Sequence, residues 1–131
     1  MSREIKFRAW NGEQMVSPDY ITRDGIGYWK ENSIPSYSTD LMQFTGLKDK
    51  NELDIYEGDE LSYTIFDYND NDKQYTGVVK WFSSGFVVTQ VPDNQGNGEY
   101  GIELFWIYSQ DDELEVIGNI HENKQADEEI N

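Results

Sequence analysis

The chain has 131 residues, no cysteine and one histidine, and its ten Lys and Arg stand against 26 Asp and Glu for a formal charge of −16. That excludes a disulfide framework, a thiol nucleophile, a thiolate metal site and a cluster of imidazole ligands within one chain. It also disfavours nonspecific nucleic-acid binding, which needs net cationic surface.

Residue usage favours strands. There are 19 aromatic residues and 18 Ile plus Val, against two Ala and six Leu. β-branched and aromatic side chains fit a pleated surface, whereas Ala and Leu are the stronger helix formers. Ile5, Phe7 and Ala9 alternate with Lys6, Arg8 and Trp10, which predicts a strand. Asn11-Gly12 then signals a hairpin, with Met15 and Val16 beginning the return strand. Tyr20-Ile21 and Tyr28-Trp29 are short apolar islands among Pro18, Gly25, Gly27 and Pro35, and Ser33 to Asp40 reads as loop. Leu41 to Phe44 reads as a strand, and Lys48 to Asn51 as a turn.

The pattern sharpens after residue 53. Glu60 to Ile65 is a strand with Leu61, Tyr63 and Ile65 on one face, and Asp67 to Gln74 is a polar loop. Gly77 to Phe82 and Phe86 to Val91 are strands joined by Ser83-Ser84-Gly85. After a loop from Pro92 to Gly98, Tyr100 to Tyr108 reads as a long strand with Ile102, Leu104, Trp106 and Tyr108 on one face. Asp111-Asp112 turns the chain into a last strand from Leu114 to Ile120, and the tail from Glu122 is polar and expected to fray. These short strands and tight turns predict a mostly β chain: a small antiparallel SH3-like barrel at 53–121, a smaller N-terminal β subdomain at 1–52 and a tail at 122–131. The expected barrel core contains Leu61, Val79, Trp81, Phe86, Val88, Ile102, Leu104 and Val116.

Four segments carry a resemblance. They are Arg3 to Trp10 (Arg-Glu-Ile-Lys-Phe-Arg-Ala-Trp), Leu41 to Asn51 (Leu-Met-Gln-Phe-Thr-Gly-Leu-Lys-Asp-Lys-Asn), Ile55 to Asp59 (Ile-Tyr-Glu-Gly-Asp) and Glu115 to Asn123 (Glu-Val-Ile-Gly-Asn-Ile-His-Glu-Asn). Together they resemble the YopX-like family of phage and prophage proteins nearly end to end. The family turn before Ile55 usually reads Asn-Gly. Here it is Asn51-Glu52, which loses the glycine but keeps an Asn able to take a left-handed conformation. The resemblance implies an SH3-like barrel, a smaller N-terminal subdomain and prophage origin. It carries over no catalytic residue.

No constellation of chemistry stands out. Read from Asp67 as a calcium loop, the chain has Asp72 where a glycine must turn and Val78 where a bidentate Glu must ligate, so a solvated loop is expected. Asp111, Glu113 and Glu115 form no defined pair of catalytic carboxylates, and His121 is expected at the surface. No phosphate loop is present. The expectation is therefore a non-enzymatic module without cofactor or metal that binds another protein. No apolar run approaches the ~20 residues of a membrane helix, and the N-terminus carries no signal-peptide stretch, so no membrane partner and a cytoplasmic location are expected.

Two alternatives follow from charge. The first thirty residues hold five basic and four acidic side chains, while the rest hold five basic and 22 acidic. In the first segment Arg8, Trp10, Trp29 and Lys30 have the ingredients of single-stranded nucleic-acid binding: rings to stack and cations to meet phosphate. In the second, Asp67, Asp70, Asp72, Asp111, Asp112, Glu113 and Glu115 would form an acidic partner surface, or a DNA mimic aimed at a host DNA-binding protein, if they converge on one face.

Overall fold

The computed structural model describes residues 4–65, 72–82, 85–90, 101–111 and 113–122. Alternation at the N-terminus gives β1 (Phe7–Trp10), which returns through the Asn11-Gly12 corner into β2 (Met15–Val16). The Asn11 side chain builds that corner, its Oδ1 accepting from the backbone N–H of Glu13 and of Gln14, and Gly12 takes the positive φ of 105°. β3 (Tyr20–Ile21), β4 (Gly27–Glu31) and β5 (Ile34–Ser38) form a separate three-stranded sheet. β6 (Leu41–Lys48) returns beside β1 and then pairs with β7 (Asp54–Tyr56), so the first sheet runs β2-β1-β6-β7. That sheet spans residue 52, where the sequence suggests a boundary.

The main sheet is antiparallel and curls into a half-barrel of order β11-β10-β9-β8-β12. Its strands are β8 (Asp59–Ile65), β9 (Lys73–Phe82), β10 (Gly85–Gln90), β11 (Gly101–Glu103) and β12 (Glu115–Asn119). Helix α1 (Leu104–Gln110) follows β11 and packs its buried Leu104 and Ile107 onto the core. Ile55, Leu61, Tyr63, Val79, Val88 and Leu114 complete that core, with Phe86, Ile102 and Val116 packed against it partly buried. Gly77 lets β9 and β10 meet closely: a Cβ there would stand 2.4 Å from the Thr89 carbonyl oxygen.

Four expectations change. Ser33 to Asp40 is not loop, because Asn32 and Ser33 both take positive φ (51° and 67°) and close a two-residue hairpin into β5. The strand expected at 100–108 stops at Glu103, and Leu104 and Ile107 are buried at helical spacing instead. Trp81 keeps the inward phase of Tyr75, Gly77 and Val79 but is 52% exposed, because β9 runs past the end of the core; its ring packs edge-on against Phe86. The left-handed residue of the turn at 51–52 is Glu52 (φ 67°), not Asn51. The tail 123–131 lies outside the described residues.

Candidate functional site

Lys6, just before β1, and Arg8 within it are both engaged by acidic side chains of the fold. Alternation puts Lys6, Arg8 and Trp10 on one face, turned towards β6 and β7. Lys6 donates to Asp54 at 2.6 Å and lies 4.5 Å over the Phe44 ring. The Asp54 hydrogen bond pushes its ammonium up to about 12. Arg8 donates to the buried Asp59 at 2.6 Å and to the Glu57 carbonyl, and lies 4.6 Å over the Tyr56 ring. Burial raises the Asp59 carboxyl above the ordinary range against the pull of Arg8. The other carboxylate oxygen accepts from the Tyr56 N–H.

Of the four residues proposed for nucleic acid, Trp10 and Trp29 come together on the wall of one pocket, while the two cations stand apart from them. Arg8 is committed to Asp59. Trp10 stacks on His121 at 5.3 Å with the rings 6° apart, which makes His121 a largely covered residue, not the surface one expected. Trp29 is buried, and Lys30 points from the opposite face of β4 into solvent.

The acidic set divides as well. Asp111 is buried, accepting from the N–H groups of Thr64 and Glu113, so its carboxylate serves the fold. Glu113 and Glu115 both reach Lys50, at 3.4 and 3.3 Å. Asp72 is exposed at the start of β9. Asp67, Asp70 and Asp112, with most of the calcium-like loop, lie outside the described residues.

Two other surfaces emerge. A groove of about 460 Å³ opens between β6 and the corner where β11 becomes α1, lined by Leu47, Phe82, Phe86, Leu104 and Phe105 among others. Its rim carries Phe82 and Phe105, exposed by 68% and 61%, with the exposed Trp81 and Trp106 on the same two elements. The second surface lies under the edge of β5, a pocket of about 380 Å³ lined by Trp10, Trp29, Glu31, Ser36 and Ser38 among others. The Oε1 atom of Glu31 accepts from Trp29 Nε1 at 2.8 Å and from Asn11 Nδ2 at 2.9 Å. These bonds, Trp29's first, hold the carboxyl below its ordinary range. The sequence marked Trp10 and Trp29 as binding candidates but not Glu31, whose partners only the fold brings to it, and it did not mark Phe82 or Phe105, because only the end of the core decides that these rings stay out. Among the described residues no helix is long and apolar enough to cross a membrane.

Comparison with known proteins is consistent with this fold. No curated protein matches the chain. A solved structure, that of protein EF1440 from Enterococcus faecalis, is 26% identical and aligns over 95% of this chain and 99% of that one, with a TM-score of 0.54. The family model described as YopX protein matches residues 6–125, so the chain belongs to the YopX family.

Proposed function

We propose that the chain is a non-enzymatic, prophage-encoded module that binds a protein partner through the aromatic groove. The observation that carries this reading is the pair of rings at the rim, Phe82 and Phe105, which stand in solvent over an apolar hollow. Exposed rings clustered around a concave apolar patch are what protein interfaces use as anchors. With a formal charge of −16, the chain draws a partner with a basic surface and repels polyanions. Neither nucleic-acid binding nor DNA mimicry gains an observation from the described residues.

The test compares affinity capture from host lysate by the wild type and by a Phe82→Ser/Phe105→Ser double variant. A specific protein retained by the first and lost by the second, and released by salt, supports the reading. Identical captures from both sink it.

A further inference from the structure

The edge of β5 and the pocket beneath it point to a second site, independent of the aromatic groove. Glu31 and Ile34 face each other across the Asn32-Ser33 turn. A two-residue turn makes such a closing pair the hydrogen-bonded one, and pairs alternate from there. Ser36 and Ser38 therefore bond to β4, while Pro35 and Tyr37 turn their backbone groups away from it. Tyr28 agrees: it faces Tyr37 in β4, and its carbonyl turns away from β5 to accept from the Asp19 N–H at 2.7 Å. Among the described residues no strand pairs with the outer side of β5. Pro35 has no N–H to leave unpaired there. Tyr37 offers both a donor and an acceptor.

The pocket under this edge supplies side-chain recognition. Both hydrogen bonds to Glu31 fall on Oε1. Among the described residues Oε2 accepts none, so a carboxylate oxygen is left for a ligand between two indoles. Indole walls and a carboxylate are the partners a guanidinium takes, by stacking and by charge-assisted hydrogen bonds. The flat stack of His121 on Trp10 fixes one of those walls.

We propose that β5 accepts an extended peptide segment as a fourth strand of its sheet, with an arginine of that segment seated against Trp10, Trp29 and Glu31. Backbone bonds to Tyr37 and Pro35 give sequence-tolerant affinity, and the pocket gives the choice of side chain. The charge of the chain favours such a basic segment over a second copy of the chain at the same edge.

The probe is a fluorescein-labelled peptide alternating Thr and Val around one central Arg, read by fluorescence polarisation. Saturable binding is expected for the wild type and for Tyr37→Ala, which keeps the outward N–H. Tyr37→Pro removes that N–H without breaking a bond to β4 and is expected to lose binding. Glu31→Gln is expected to weaken the Arg peptide about tenfold or more, while leaving a peptide with Gln in place of Arg unaffected. Thermal unfolding checks that each variant is folded. If Tyr37→Pro is not, probe peptides N-methylated at alternate residues remove the same bonds from the ligand side. Three results overturn the proposal: no saturable binding to the wild type, equal binding by Tyr37→Pro and Tyr37→Ala, or peptide-independent dimerisation that only Tyr37→Pro abolishes. Phe105→Ser leaves this binding unchanged, so the result is separate from the fate of the aromatic groove.

Discussion

Glu52 holds a backbone conformation that its side chain opposes. It sits at φ 67° in a turn organised by the buried Asp49, whose Oδ1 accepts from the N–H groups of Asn51 and Leu53. A left-handed conformation costs an L residue about 1–2 kcal/mol, which glycine avoids at the expense of some chain entropy. Glu52→Gly should therefore stabilise the protein by about 0.5–1 kcal/mol, measured by urea denaturation. Arg8 gives the opposite case. Arg8→Met leaves the Asp59 carboxylate buried without its cation and should cost about 3 kcal/mol near neutral pH. The sign with pH follows from burial, which lifts the Asp59 carboxyl above its unfolded value. The folded variant holds the proton more tightly, so its stability falls as pH rises through the folded pKa and recovers on acidification. Denaturation midpoints from about pH 7 down to about pH 4, the unfolded carboxyl range, test this, and a deficit that does not shrink towards the acid end contradicts it.

Whole elements show which signals the sequence carries. The strands of the half-barrel follow from alternation, as at Leu61 and Tyr63 in β8 or Gly77 and Val79 in β9, because one side of each strand must leave water. β5 was not legible, since its turn uses Asn32 and Ser33 without a glycine and Pro35 argues against a strand. Helix α1 was not legible either. It has no side-chain cap and no acidic first turn, and its aromatic run fits period two as well as the burial of Leu104 and Ile107 fits helical spacing. Of the candidate site residues, the sequence could show which were aromatic or charged, but not that Asp54 and Asp59 claim Lys6 and Arg8 from strands remote along the chain. Two substitutions separate phase from depth within β9. Gly77→Ala should destabilise by about 3 kcal/mol, because its methyl meets a backbone oxygen that cannot yield. Trp81→Ala, beyond the end of the core, should cost only about 1 kcal/mol, mainly its edge-on contact with Phe86. Thermal unfolding of the two variants checks the order.

Over the whole molecule the surplus of carboxylates is a self-repulsion that salt relieves. Surface fields fade within ~10 Å at 0.1 M ionic strength, so added sodium chloride should raise the unfolding temperature while weakening capture of a basic partner. A scan of both quantities against salt separates the two effects, and a melting point indifferent to salt would show that the charges lie too far apart to matter. The long-range closure of the chain has a temporal consequence. Strand β12 completes the half-barrel beside β8, the Ile120 N–H donates to the Gly58 carbonyl, and His121 then lies on Trp10, near the other end of the described chain. Contacts so distant in sequence form slowly, because the intervening loop must close first. On a ribosome, Trp10 and the exposed flank of β8 emerge long before the segment that shelters them. The nascent chain therefore passes through an interval of uncovered apolar surface, the condition under which chaperones engage.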